Sequence, residues 1–177
     1  MVPVREIGVA VCGAATLLAL VGFSSGASAH NESQAVTMLG APLTLVQSTT
    51  ALSPPTLRFH RDGRLHAAWI EKNGVQGEVK TAAISADHSA VAQVSVNPPG
   101  AGPEAVHQSP GFAIGVDGEQ FVTWSSANKT PGALFASDLR LARLDSGGAR
   151  VQPPVQVNDD GLAISHTFEH MVAGKNG

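Results

Sequence analysis

The sequence predicts an all-β fold built from repeated four-stranded antiparallel sheets, and three observations support this. The chain has 177 residues, with 19 Gly and 11 Pro but only 6 Phe, 2 Trp and no Tyr. This composition is typical of short strands joined by many turns rather than of a helical bundle. Segments after residue 42 recur at fixed spacing. Asp-Gly and Asn-Gly pairs separate runs of β-forming residues.

The N-terminal residues 1–29 predict a secretory signal peptide that is helical before cleavage. Arg5 lies in the short segment that starts the chain, an apolar run extends over residues 8–23, and Ala27-Ser28-Ala29 offers the small residues that a signal peptidase accepts. We expect cleavage after this triplet, then a flexible segment at residues 30–41, in a secreted or periplasmic protein that is not held in a membrane. The alternative is an uncleaved membrane anchor formed by the same apolar run.

Charge and cysteine content exclude several classes of function. With 14 Asp+Glu against 11 Lys+Arg and a net charge of -3, the chain lacks the basic excess that nucleic-acid binding requires. Cys12 is the one cysteine and lies in the predicted leader. We therefore expect a mature chain without a disulfide, a thiolate nucleophile or a cysteine-bound metal. No motif points to a cofactor, and we expect neither cofactor nor metal.

Two stretches of the chain repeat without a gap, and a third copy starts after them. The matched pairs in the first two copies are Pro55 and Pro110, Asp62-Gly63 and Asp117-Gly118, and Trp69 and Trp124. The third copy is indicated by a second constant spacing, which aligns His107 with His166 and Gly115 with Gly174. Before each copy lies a short alternating run that ends in an amide side chain, at residues 44–47, 94–97 and 155–158. These three runs predict equivalent strands.

Each complete copy predicts four strands joined as an antiparallel meander. The predicted strands cover residues 56–60, 65–70, 79–84 and 91–96 in the first copy, and 111–116, 120–125, 139–144 and 155–157 in the second. Each Asp-Gly pair predicts a two-residue hairpin in which both central residues have positive φ. Four strands in roughly 55 to 60 residues are typical of one propeller blade. A β-sandwich is the alternative, but it does not explain why Trp recurs at one point of each copy.

We therefore predict an incomplete β-propeller with about two full blades and a half-blade at either end. A closed propeller has about four to eight blades, so this length of chain cannot close by itself. The sequence is interpreted as a truncated product or a fragment. Unpaired edge strands at both ends predict self-association.

The repeated pattern Pro-x7-Gly-x5-Trp precedes a third strand and then a turn at residues 85–89 or 144–148. This order resembles the sialidase (neuraminidase)-like superfamily of Asp-box, or BNR-repeat, β-propellers, over most of residues 42–177. The Asp box of that family reads Ser/Thr-x-Asp-x-Gly-x-Thr-Trp/Phe. The first turn keeps Ser85 and Asp87, whereas the second keeps only Gly148.

The resemblance implies catalysis by a Tyr nucleophile with a Glu, an Asp acid/base and three Arg that bind the sugar carboxylate. The chain contains no Tyr, and no residue can be carried over as catalytic. We therefore predict an exported binding module for a glycan or a protein, without a complete catalytic set in this chain. The alternative is the N-terminal part of an exo-glycosidase of sialidase type whose catalytic residues lie beyond residue 177.

The loops that join successive blades supply the candidate binding residues. In the resembled family these loops lie on the ligand-binding face, which singles out His107, Asp159, Asp160 and His166. The alternative for each of them is a solvated polar turn.

A zinc peptidase is a more remote alternative, because residues 166–170 read His-x-x-Glu-His, with Glu169 as the acid. That motif needs a helix, and the repeat places it in a loop that enters a strand. In a strand, His166 and His170 would lie about 13 Å apart, too far to share one metal.

Overall fold

The computed structural model describes residues 5–9, 43–73, 76–85, 87, 91–97, 109–128, 130–167 and 170–174. These residues form antiparallel sheets and contain no helix, so the all-β prediction is confirmed. Among them there is accordingly no helix that could span a membrane.

The strands of the described residues follow one another as short segments joined by turns. In chain order they are β1 Arg5–Val9, β2 Leu43–Ser48, β3 Ala51–Leu52, β4 Thr56–Phe59, β5 Leu65–Asn73, β6 Gln76–Ile84, β7 Val91–Ser95, β8 Gly111–Ile114, β9 Gln120–Ala127, β10 Ser137–Leu144 and β11 Val155–Gln156. All eight strands predicted for the two copies are present, from β4 to β11.

The strands form three sheets, named here by their order along the chain. The N-terminal sheet pairs β1 with β2, and the last sheet has the order β11-β10-β9-β8. The middle sheet contains β3, β5, β6 and β7, with β4 also paired to β5. Strands β3 and β4 pair with successive parts of one edge of β5, and Pro54-Pro55 between them interrupts that edge because proline has no N–H to donate. Both copies are therefore meanders.

The start of the predicted leader is a strand rather than a helix. Arg5–Val9 pairs antiparallel with β2, with Arg5 opposite Ser48 and Val9 opposite Leu43. This ladder satisfies the backbone groups of β1 that a helix would have bonded internally. The apolar run from residue 10 onward, the cleavage site and the segment at residues 30–41 lie outside the described residues, so those predictions are untested.

The Asp-Gly hairpins have three-residue loops, and the predicted two-residue turns are wrong. Gly63 N–H donates to His60 O (3.0 Å), and His60 N–H donates to Arg64 O (2.9 Å). This is a type I turn followed by a left-handed glycine, with φ +85° at Gly63. Positive φ is therefore needed only at the glycine. Asp62 instead accepts the Arg64 N–H on its carboxylate (3.0 Å).

Two apolar cores show that the three sheets are stacked face to face. Trp69 is buried with Leu45 and Val46 of β2 between the N-terminal and middle sheets. Trp124 is buried with Val79 of the middle sheet and with Val96, just beyond β7, between the middle and last sheets. Both indoles are 0% exposed, and burying each stabilises the fold by about 5 kcal/mol at most. The two recurring tryptophans thus occupy equivalent places.

In the second and third alternating runs, the amide at the end of the run bonds to the backbone of the third strand of its copy. Asn97 Oδ1 accepts a hydrogen bond from Val79 N–H, and Asn158 Oδ1 accepts one from Leu139 N–H (2.8 Å). In both sheets the preceding residue, Val96 or Val157, donates its N–H to the carbonyl of that same third-strand residue. The repeat seen in the sequence is therefore a repeat of hydrogen bonds.

Candidate functional site

The outer side of the last sheet carries partly exposed aliphatic side chains along β10 and β11. Side chains on β10 alternate, and Ala142 and Leu144 point into the core beneath. Leu139 and Leu141 therefore point outward, and Val155 lies opposite Leu141 in the ladder. Val155 and Val157 are 43% and 46% exposed. We call the surface formed by Leu139, Leu141, Val155 and Val157 the open face.

The segment at residues 158–167 crosses the end of the last sheet and is held there by His166. The backbone N–H of His166 donates to Ser137 Oγ (2.8 Å). Its carbonyl accepts hydrogen bonds from Ser125 Oγ (2.6 Å) and Ser137 Oγ (2.9 Å). Ser137 N–H also donates to Ile164 O (2.9 Å). Two buried serines therefore fix the path of an otherwise irregular segment.

The His166 ring lies between two acceptors. Nδ1 is 2.6 Å from Ser137 O, and Nε2 is 2.9 Å from Asp160 Oδ2. A ring that meets an acceptor at each nitrogen is fully hydrogen-bonded only as the imidazolium. The hydrogen bond to Asp160, followed by that to Ser137, raises the pKa of His166 above its ordinary value. In turn, the hydrogen bond from His166 and then that from Leu162 N–H lower the pKa of Asp160.

An open groove of about 480 Å³ lies between this segment and the open face. Its lining residues are Leu139, Val157, Asn158, Ser165, His166 and Thr167. The floor is aliphatic, and the rim carries hydroxyl groups and an imidazole. Such a groove can hold an apolar side chain or the apolar face of a ring while its rim supplies hydrogen bonds.

The residues that line this groove are equivalent to buried residues of the middle sheet. The shared hydrogen bonds match Leu139 with Val79, Val157 with Val96 and Asn158 with Asn97. In the middle sheet these three positions are buried, because the last sheet covers them. In the last sheet the same three positions line an open groove. The groove therefore stands where a further sheet would pack.

Two of the four candidate binding residues meet, and the other two do not join them. Asp160 and His166 form the ion pair described above. Asp159 is exposed and does not line the groove. His107 lies outside the described residues.

The zinc-peptidase geometry is absent from the part of the chain that the structure describes. Residues 166, 167 and 170–174 are not helical, and Glu169 falls outside the description. Both ring nitrogens of His166 face acceptors of the chain itself. Within the described ranges, no group of three or more His, Cys, Asp or Glu side chains could hold a metal ion.

The open face was not predicted from the sequence. The predicted binding residues are polar residues of the loops, whereas the groove floor is made by Leu139 and Val157. The signal was present in the repeat, because aligning Asn97 with Asn158 also aligns the residues around them. What the alignment alone could not show was that one set is buried and the other exposed.

The chain was compared with protein-family models, curated proteins and solved structures. No protein-family model matches the chain, and no curated protein matches its sequence. Among solved structures, the chain is similar to an endo-arabinase from Bacteroides thetaiotaomicron VPI-5482, with 20% identity and a TM-score of 0.46. The match covers 66% of this chain and 46% of that protein, so the chain spans less than half of its length. A likeness at this level assigns neither the fold nor the function of this chain.

Proposed function

We propose that this chain is a binding module of β-propeller type whose open face binds a further antiparallel β-sheet. The supporting observation is the equivalence between the groove and an interface inside the molecule. Leu139 and Val157 stand where Val79 and Val96 are 0% exposed beneath the last sheet. An apolar surface of this kind on a sheet face is typical of a protein-binding site.

The propeller architecture is part of the proposal. Three sheets are stacked in chain order, and each of the two complete meanders places its second-strand tryptophan against the sheet before it. Propeller blades pack in this way around an axis.

The sialidase-like, Asp-box assignment is also a proposal and draws on the turns. Ser85 Oγ donates to Asp87 Oδ1 (2.5 Å), at the positions the resemblance assigned to the first box. In the second turn, Asp145 Oδ1 accepts the N–H groups of Gly147 (2.9 Å) and Ala149 (2.8 Å). Carboxylates that fix these turns are what an Asp box requires, although in the second turn the acid stands one position before Ser146, where the box has its aspartate.

Export is proposed from the leader sequence. The small residues Ala27-Ser28-Ala29 after an apolar run are the basis for it. N-terminal sequencing of the protein recovered from the medium or periplasm should begin at His30. Recovery of Met1 on a membrane-bound product would overturn export with cleavage.

A tandem variant tests whether the open face accepts a sheet. In this variant the chain is kept up to residue 169 and is followed directly by a second copy of residues 111–158. Gly111 of the added copy then takes the place of His170, the residue with which it aligns. We expect the added sheet to cover the open face and to slow hydrogen exchange of the amides that flank it in β10 and β11. The control is the same tandem carrying Val157→Asp. Equal exchange rates in both tandems and in the unextended chain would overturn the proposal.

A glycan is the second candidate ligand, because Ser165 and Thr167 carry hydroxyl groups beside the aliphatic floor of the groove. Hydroxyl groups beside an apolar surface suit a sugar. Binding to an immobilised glycan panel that is lost in Thr167→Val would favour this candidate over a protein sheet. Hydrolysis of a fluorogenic sialoside by this chain would overturn the non-catalytic proposal and favour the exo-glycosidase alternative.

A further inference from the structure

We infer that the occupant of the open face is a β-hairpin that carries a large aromatic side chain and completes a sheet with this chain's own residues 170–173. This inference rests on the proposed function and specifies the partner of the same site. Two interfaces already present in the molecule and the segment that follows His166 support it.

The segment at residues 170–173 stands in the place of a first strand. The spacing that aligns His107 with His166 aligns Met171 with Phe112 of β8. Phe112 is 0% exposed in the core between the middle and last sheets. Met171 is half-buried, while its neighbour Val172 is 89% exposed. In the described part of the chain this segment pairs with no strand, so its backbone groups can accept a hairpin by β-addition.

The partner should carry an aromatic residue, because a tryptophan covers each of the two valines that are equivalent to Val157. Trp69 shares a core with Val46, near the end of β2. Trp124 shares the next core with Val96, just beyond β7. Both indoles come from the second strand of the covering sheet. Val157 is the third member of this series, and it is 46% exposed. A hairpin whose first strand carries a Trp or Phe would bury it.

A cation in the partner would add a contact at the rim. Arg150 Nη1 donates to Val96 O (3.2 Å), which ties the last sheet to the middle sheet. The equivalent acceptor on the open face is Val157 O. An Arg shortly after the second strand of the hairpin would reach it in the same way. The partner chemistry is therefore an aromatic-bearing hairpin followed by a guanidinium.

The probe is a synthetic peptide of residues 119–151 of this chain, which contains the β9–β10 hairpin, Trp124 and Arg150. A fluorescently labelled peptide is titrated into the full chain and its anisotropy is measured. We expect saturable binding that weakens roughly tenfold or more with Val157→Asp in the chain or Trp124→Ser in the peptide. Phe59→Asp in the chain is the matched control, because Phe59 is 71% exposed on β4, away from the open face; it should leave binding unchanged.

Several outcomes would overturn the inference. A peptide that binds the Val157→Asp chain as tightly as the parent does not use the open face. Sedimentation of the unmixed chain as a dimer that Val157→Asp dissociates would make a second copy the occupant. A tandem variant that protects the open face while the free hairpin fails to bind would refute the hairpin and leave the proposed function standing. Because Val157 is half-exposed, its variant should fold, and Met171→Asp provides a second test at the other side of the site.

Discussion

Asn97 accepts a hydrogen bond from the backbone N–H of Val79 inside the middle sheet, and both residues are buried. Asn158 and Leu139 make the same bond in the last sheet, where the surroundings are open. The same asparagine-to-backbone hydrogen bond thus occurs twice in one molecule, once buried and once half-buried. The comparison separates what the hydrogen bond contributes from what its burial contributes.

Removing the buried amide should cost more than removing the half-buried one. Asn97→Ala leaves Val79 N–H without its acceptor in a core, and we expect a loss of about 1–3 kcal/mol in the free energy of unfolding. Asn158→Ala leaves Leu139 N–H where water can reach it, and we expect a loss of about 0.5–1 kcal/mol. Urea unfolding of the two variants measures both. Equal losses would show that the last sheet is as well covered as the middle one.

Two left-handed glycines should respond differently to alanine. Gly63 (φ +85°) has open space where a Cβ would lie, whereas at Gly148 (φ +87°) that Cβ would lie 2.9 Å from Val94 Cγ2. Gly63→Ala should destabilise by about 1–2 kcal/mol from backbone strain alone. Gly148→Ala should add about 1–3 kcal/mol from overpacking.

Thermal unfolding of Gly63→Ala, Gly148→Ala and the double variant Gly148→Ala/Val94→Ala tests this. The double variant should recover part of the packing cost, because the side chain that clashes has been shortened. Were Gly148→Ala no worse than Gly63→Ala, the turn at residues 145–149 would not pack on β7 as the structure shows.

The His166 and Asp160 pair should make the free energy of unfolding depend on pH. Its contribution should be lost both at high pH, where His166 loses its proton, and at low pH, where Asp160 gains one. The pKa of His166 is raised above 6.5, so its contribution is complete below that value and is lost as the pH rises through the folded pKa. The pKa of Asp160 is lowered from 3.8, so its contribution is present above that value and is lost as the pH falls through the folded pKa. Asp160→Asn should return the pKa of His166 toward its ordinary value, measured by NMR titration of the ring. An unchanged titration would show that Asp160 does not hold the ring.

Burial of His66 should act in the opposite sense. Its side chain is 1% exposed, neither ring nitrogen has a partner in the described residues, and the His60 ring lies 6.4 Å away. Burial first, and then the charges of Arg64 and His60, lower its pKa from 6.5, while Asp62 opposes this. The unfolded chain therefore takes up a proton that the folded chain resists, and stability falls as the pH drops below 6.5.

The variant His66→Phe should remove this loss. It introduces the residue found at the equivalent position of the last sheet, Phe121. Urea midpoints of the variant and the parent, compared at pH 7.5 and pH 5.5, should differ more at the lower pH. A parallel shift at both values would mean that His66 does not titrate with folding.

Much of the fold could be predicted from the sequence because repetition reports on packing. Trp69 and Trp124 recur where each meander needs one large residue, and both proved buried in equivalent cores. The turns were less accessible to prediction. An Asp-Gly pair suits either a two-residue or a three-residue hairpin, and the choice depends on the register of the flanking strands.

The site was predicted in part. Asp160 and His166 were singled out as polar residues of one loop, but their pairing needed the position of Ser137, which comes from a strand distant in sequence. Asp159 is the same residue type as its neighbour Asp160, yet its side chain is exposed and lies outside the groove. A residue type indicates what a side chain can do, and only the neighbours that folding brings near decide whether it does so.

By itself, the sequence determined the strands of the two copies, their order and the equivalence of the copies, because these depend on local alternation and on spacing along the chain. The tertiary structure alone decided which of two equivalent surfaces is buried. Val96 and Val157 follow similar strands and make the same backbone bond, yet one lies in a core and the other beside a groove. The two residues are of the same type, so the residue type does not cause this difference. Burial depends on whether another sheet packs against the residue, and only the arrangement of the three sheets decides that.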